Sequence, residues 1–329
     1  IAGESDRHFL LIKINADGNM EWTRTYTGTG RTDTAYSVTQ TSDGGYAIAG
    51  RGYHDFFLVK TAADGTLVWN KTYEAQYDGV ARSVIQTSDG GYIIAGRINN
   101  MSIGKWDFWL FKTDENGTLE WSRQYTDTKN SLAYAVVETN DGGYAITGYK
   151  TTFSSGSDDI WLVKTDSQGY LEWDQTYGGT DDDCGFALVT TSDGGYAIAG
   201  STKSFGAGNS DFWLIKTHAN GTMDWDKTYG GVNQEVATAL VVTQDGGFAI
   251  AGYTNSSGTG DYDFWLVKTD ALSNQQWNQT YVGDGINYAQ SLVATTDGGY
   301  ALAGNILAPN SDENYDVWLV KTNEYGDTQ

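Results

Sequence analysis

The side chains of this 329-residue chain that could do chemistry are few and poorly grouped. His8, His54 and His218 are its only histidines and fall in unrelated contexts, with no HxxxH spacing to put two imidazoles on one metal. Cys184 is the single cysteine, so no disulfide can form within the chain, and no base or Ser/His/Asp arrangement accompanies it. Carboxylates are plentiful instead: 42 acidic residues against 20 basic ones give a formal charge of −22. Asp33, Asp78, Asp183, Glu235 and, as an amide, Asn287 sit at corresponding places in the chain. An oxygen-rich set of this kind could hold Ca²⁺, and paired carboxylates could hydrolyse a glycoside. Asp158, Asp261, Asp312 and Glu313 could add to it. The competing expectation is that these groups accept backbone hydrogen bonds in connecting turns, as Asp and Asn commonly do. The acidic balance argues against nucleic acid and against an anionic membrane surface. No apolar run reaches the roughly 18 residues of a membrane span.

The elements that position these residues are repeats. Asp-Gly-Gly-aromatic begins at Asp43, Asp89, Asp141, Asp193, Asp245 and Asp297, first 46 and then 52 residues apart. An apolar run ending in lysine recurs at Lys13, Lys60, Lys112, Lys164, Lys216, Lys268 and Lys321. A tryptophan followed by Thr-Tyr or its equivalent recurs at Trp22, Trp69, Trp121, Trp173, Trp225 and Trp277. Each repeat predicts four short strands: a before the Gly-Gly turn, b after it, c carrying the lysine, and d carrying the tryptophan. No stretch has a 3.6-residue apolar period, so almost no helix is expected.

Strand c is apolar on both faces and must be covered on both. Strand a carries small residues (Ala35, Ala81, Ala133, Gly185, Ala237, Ala289) where backbones would converge. That narrowing places strand a innermost around an axial channel, which a solenoid would not require. The expected fold is therefore all-β, a β-propeller of seven blades, each of four antiparallel strands. The repeats run over 1–27, 35–73, 81–125, 133–177, 185–229, 237–281 and 289–329 within a single domain, the one proline leaving no Pro-rich linker. The first repeat lacks strand a and the last lacks strand d, so edge strands are expected from residues outside this sequence.

On these motifs the chain resembles the Asp-Gly-Gly-Tyr propeller repeats of archaeal, especially methanogen, and bacterial cell-surface proteins. More distantly, Asp114-x-x-Gly117-x-x-x-Trp121 is similar to the tryptophan-docking motif of quinoprotein (PQQ-like) propellers, one residue shorter between Asp and Gly. No adjacent-cysteine pair accompanies it, so dehydrogenase activity is not carried over. The same turn is similar to the Asp-box of sialidases, without their arginine triad. The resemblance implies a cell-surface or secreted location more than an activity.

The a–b and c–d turns are nearly constant and read as structure. The b–c loops at the other end differ between repeats, which makes that end the candidate binding face. It carries Tyr53, Trp106, Tyr262 and Tyr315, aromatics suited to a sugar ring or a protein partner. The competing expectation is that they cap blade edges. The strand-c lysines should pair with acids or stack on tryptophan, and Asp55, Asp107, Asp159, Asp211, Asp263 and Asp316 should fix loops. Asn70, Asn100, Asn116, Asn220, Asn255 and Asn278 head Asn-x-Ser/Thr sequons and are candidate glycosylation sites. The expected function is a non-enzymatic extracellular or cell-surface module binding protein or glycan partners, with no cofactor except a Ca²⁺ at Asp33, Asp78, Asp183 and Glu235. The alternatives are a carbohydrate-active enzyme using those acids, and a structural subunit of a sheath, layer or filament.

Overall fold

The computed structural model describes residues 1–28, 33–74, 78–100, 104–126, 129–152, 157–258, 261–307 and 315–329. The predicted Asp312 and Glu313 lie outside them. The described residues contain strands and no helix. Blade 1 consists of β1 (Ala2–Ser5), β2 (His8–Ile14) and β3 (Met20–Tyr26). Blade 2 is β4 (Asp33–Gln40), β5 (Tyr46–Gly52), β6 (Asp55–Thr61) and β7 (Leu67–Tyr73). Blade 3 is β8 (Gly79–Gln86), β9 (Tyr92–Asn100), β10 (Lys105–Thr113) and β11 (Leu119–Tyr125). Blade 4 is β12 (Ser131–Glu138), β13 (Tyr144–Thr151), β14 (Asp158–Thr165) and β15 (Leu171–Tyr177). Blade 5 is β16 (Asp183–Thr190), β17 (Tyr196–Thr202), β18 (Asp211–Thr217) and β19 (Met223–Tyr229). Blade 6 is β20 (Glu235–Val242), β21 (Phe248–Thr254), β22 (Asp263–Thr269) and β23 (Gln275–Tyr281). Blade 7 is β24 (Ile286–Ala294), β25 (Tyr300–Leu307) and β26 (Asp316–Thr322).

Each sheet is an antiparallel meander in chain order, and the first and last have three strands, as the repeat count predicts. The chain is a seven-bladed β-propeller. Two compact units can be distinguished, Ile1–Thr152 with Trp161–Asp174, and Phe153–Ile160 with Gln175–Gln329.

In the first unit, alternate residues of strand c enter different cores. Phe57 and Val59 pack with Phe9 and Leu11 of blade 1, while Phe56 and Leu58 pack with Val84, Ile94 and Phe111 of blade 3. In the second unit, Trp265 and Val267 pack with Phe212 and Leu214 of blade 5, and Phe264 and Leu266 pack with Leu292 and Leu302 of blade 7. This is why strand c is apolar throughout: its two faces serve two interfaces. Each such fully buried side chain contributes about 1.5–3 kcal/mol.

The Asp-Gly-Gly turn needs both glycines for different reasons. Gly44 has φ of 82°, a left-handed conformation open to glycine at little cost. A Cβ on Gly45 would stand 2.0 Å from the Thr61 carbonyl oxygen of strand c. The turn Asp43 accepts bonds from the Gly45 N–H and Thr41 hydroxyl and pairs with Lys60 at 2.7 Å. Lys112, Lys164, Lys216, Lys268 and Lys321 pair with Asp89, Asp141, Asp193, Asp245 and Asp297 in the same way. The lysines therefore serve the blade, as the repetition predicts.

Consecutive blades are fastened by the tryptophan and tyrosine of strand d. The hydroxyls of Tyr26, Tyr73 and Tyr125 donate to the carbonyls of Gly65, Gly117 and Gly169 in the c–d turn of the next blade, at 2.7–2.8 Å. In the second unit Tyr229 reaches Ser273 at 2.7 Å and Tyr281 reaches Gly326 at 2.8 Å. Trp22, Trp69 and Trp121 lie so close over those turn glycines that any Cβ there would overlap the indole. The same indoles meet Tyr46, Tyr92 and Tyr144 of the Asp-Gly-Gly-Tyr motif, ring centroids 6.0, 5.8 and 5.9 Å apart. The recurring motifs thus meet across these interfaces of the first unit.

Strand a of each blade from 2 to 7 carries a one-residue bulge. Its register against strand b shifts between Ala35 and Ser37, Ala81 and Ser83, Ala133 and Ala135, Gly185 and Ala187, Ala237 and Ala239, and Ala289 and Ser291. The small residue before each bulge lies under a strand-b glycine; a Cβ on Gly50 would meet the Thr34 carbonyl at 2.0 Å. Neighbouring first strands are linked: the Val84 N–H donates to Ser37 Oγ at 3.1 Å, and Val136 N–H to Ser83 Oγ at 3.3 Å. Strand a is the strand by which successive blades approach, as its small residues predict. Ala81 and Ala133 are buried in the interblade cores, and the residue between the two small ones, which differs from blade to blade, is left out of the register.

Candidate functional site

The acids predicted from sequence at the start of strand a are each engaged by the backbone or side chains of their own surroundings. Asp33, Asp183 and Glu235 begin β4, β16 and β20 and are fully buried. Each accepts a backbone N–H from the preceding loop: Gly28 to Asp33 at 2.7 Å, Gly179 to Asp183 at 2.8 Å, and Gly231 to Glu235 at 2.7 Å. Asp183 also accepts from the Ser204 hydroxyl and Glu235 from that of Thr254. Asp78 is out of register: Gly79 opens β8 at the position of Asp33, and Asp78 pairs with Arg51 at 3.3 Å. Asn287 donates to Asp263 at 3.2 Å. Among the described residues no three His, Cys, Asp or Glu side chains group as metal ligands would.

The strand-c aspartates act on loops where their bonds are seen. Asp211 accepts from the Ala207 and Gly208 N–H groups, and burial raises its carboxyl above the usual range against those bonds. Asp107 accepts from the Asn100 amide at 2.7 Å. Burial, and then the carboxylates of Asp158, Asp182 and Asp183, push the Cys184 thiol up to about 12, which favours its protonated form at neutral pH.

The four predicted aromatics occupy different settings. Tyr53, 54% exposed and at φ 31°, packs on His54 at 4.0 Å. Trp106 lies inside β10, paired with Asn99, beneath the Arg97 guanidinium at 4.3 Å. Tyr262 belongs to a cluster of which sequence inspection finds only part. Its ring centroid is 5.3 Å from Tyr253 and 5.3 Å from Tyr288, which are themselves 4.7 Å apart. The Tyr262 hydroxyl donates to Gln234 Oε1 at 2.6 Å, fixing the ring, and Tyr315 stands near Tyr288 with half its surface exposed. Tyr253 comes from β21, Tyr288 from β24 and Tyr262 from the b–c loop of blade 6, so two blades build one half-buried patch. Burial holds the Tyr253 hydroxyl up at about 12, and it stays neutral. The signal available in sequence was an aromatic after the strand-b glycine, present as Tyr149 and Tyr253 and absent from the other repeats.

A second non-repeating feature lies at the bulges of the first unit. The guanidinium of Arg82 (blade 3) sits 4.2 Å from the ring of Tyr36 (blade 2) and 5.6 Å from that of Tyr134 (blade 4). Tyr134 in turn meets Tyr149 at 6.1 Å. The Arg82 Nε is buried without an acceptor. An unmet buried donor costs about 1–3 kcal/mol.

Of the sequon asparagines, Asn70, Asn116, Asn220 and Asn278 are exposed. Asn100 and Asn255 are half-buried, their side chains bonded to Asp107 and to the Gln234 N–H.

No family model matches the chain. Over 253 residues, 66% of the chain, it is 26% identical to the regulatory protein FlaEY of Caulobacter vibrioides, and the match spans 26% of that protein's length. Among solved structures, a protein from Lactobacillus plantarum is similar with a TM-score of 0.60 and 11% identity, over 99% of this chain and 91% of that one. YCF48 bound to D1 peptide is similar with a TM-score of 0.51 and 12% identity, over 90% of this chain and 80% of that one. At these identities the structural likeness speaks to fold alone.

Proposed function

We propose that this propeller is a non-enzymatic binding module that takes a protein partner on the Tyr253–Tyr262–Tyr288 patch. The observation that carries this reading is the patch itself: three mutually packed, half-exposed tyrosines on the divergent loop side. Tyrosine offers a large apolar face with a polar tip and few rotatable bonds, which suits an interface anchor. The match to a regulatory protein and the likeness to a propeller solved with a peptide support a protein as the partner. We place the module outside the cell or on its surface, supported by the exposed sequon residues Asn70, Asn116, Asn220 and Asn278 and the charge of −22.

The test compares partners captured by the unaltered chain with those captured by a Tyr262→Ala/Tyr288→Ala variant of unchanged thermal transition. A partner identified in this way is then purified and titrated. The double variant should weaken its binding by about tenfold or more, as loss of anchor residues does. Equal affinity for both proteins would overturn the assignment of the patch.

A further inference from the structure

We infer that Arg82, flanked by Tyr36 and Tyr134 on the first strands of blades 2, 3 and 4, is a recognition site for a carboxylate group. In a chain with 42 acidic and 20 basic residues, arginines have many potential partners. Arg51 has found one in Asp78. Arg82 has neither an ion pair nor a hydrogen bond among the described residues, and its Nε–H is buried without an acceptor. It is held by rings, 4.2 and 5.6 Å from the guanidinium carbon. Tyr36 is 39% exposed, so the stack is open to a ligand.

The chemistry of the ligand follows from what the rings leave free. A guanidinium flanked by aromatic faces offers its in-plane N–H edge, a fork that matches a planar carboxylate with two parallel bonds. A tetrahedral phosphate places oxygens out of that plane, toward the rings. The bulge aims the side chain: Arg82 is the residue left unpaired between Ala81 and Ser83, while Ser83 is occupied by the Val136 N–H. At the corresponding bulge of blade 6, Thr238 donates its hydroxyl to the Ala289 carbonyl at 2.7 Å and so meets its own need within the protein. The position therefore does not demand an unpaired cation.

The purified chain should be titrated calorimetrically with succinate, with an acetylated tri-glutamate peptide and with inorganic phosphate. Both carboxylate probes should bind, more weakly as salt is raised. Arg82→Gln should lower their affinity by about tenfold or more, as loss of a charge-assisted pair implies. Arg82→Lys, which keeps the charge and loses the fork, should fall between, and it decides the matter if Arg82→Gln does not fold. Tighter binding of the peptide assigns a polypeptide carboxylate, and equal binding assigns a free small acid. Phosphate binding as tight as succinate would overturn the carboxylate assignment. Absence of binding by either carboxylate, or affinity unchanged in Arg82→Gln or Arg82→Lys, would overturn the site. Tyr262→Ala/Tyr288→Ala should leave these affinities unchanged, which separates this site from the tyrosine patch.

Discussion

Blades 3 and 6 are secured by the same groups and differ at the bulge. In blade 3, Lys112 pairs with Asp89 and the Tyr125 hydroxyl reaches the next blade; in blade 6, Lys268 pairs with Asp245 and Tyr281 does the same. At the bulge, Thr238 closes on the Ala289 carbonyl, while Arg82 lies over two rings and its Nε–H has no acceptor among the described residues. The difference teaches where this architecture permits variation. Groups that recur in every blade are consumed by packing and pairing, and the bulge is a position where one blade can hold an unspent charge without disturbing the ladder on either side.

The widest gap between the two blades should come from their turn aspartates. Lys268 is left with neutral partners, Thr269 O and Gln276 Oε1, if Asp245 is removed, whereas Lys112 retains Glu120 at 3.3 Å. Asp245→Ala should therefore cost about 3 kcal/mol, the low end for stranding a buried charge, and Asp89→Ala markedly less. Urea unfolding of the two variants would show it; equal losses would mean that Glu120 does not support Lys112.

Acid should act on both blades alike. Burial opposes ionisation of Asp89 and Asp245, but bonds from lysine, threonine and glycine outweigh it and bring both to about 2, from a usual 3.8. Because the folded value is the lower one, the stabilisation is complete above the unfolded value and is lost as pH falls through the folded one. The thermal transition should be level above about pH 4 and drop between there and about pH 2. A transition unchanged across that window would remove these pairs from the account of stability.

The smallest effects separate the bulges. Thr238→Val should cost about 1 kcal/mol, the net value of one hydrogen bond. Arg82→Thr removes an unmet buried donor, a cost of about 1–3 kcal/mol, along with ring contacts of about 0.5–1 kcal/mol each, so the net change should not destabilise the protein. A loss as large as that of Asp89→Ala would make Arg82 a structural residue.

The fold was legible because repetition makes each motif its own control. Lys60, Asp43 and Trp22 recur at matching places, and a group present in every blade must satisfy a need present in every blade. The tyrosine patch was only half legible. Tyr262 and Tyr315 stand out beside strand c, but Tyr253 and Tyr288 lie within strands of two blades and meet only through the packing of those blades. Arg82 was invisible for a different reason: a bulge shifts pairing by one residue, and nothing in the alternation of β8 announces it. For the carboxylates of Asp33, Asp183 and Glu235 the sequence allowed both a ligand set and acceptors for turn N–H groups, because the loop N–H groups they accept from leave no trace in side-chain identity.

The tyrosine hydroxyl of strand d has a consequence for how the protein is made. From Tyr73 to Gly117, from Tyr125 to Gly169 and from Tyr229 to Ser273 the bond spans 44 residues, always forward along the chain. On a ribosome, which releases the chain from its N-terminus, a blade therefore cannot complete its own outer edge until the c–d turn of its successor has emerged. Each blade waits on the next, and synthesis order becomes assembly order.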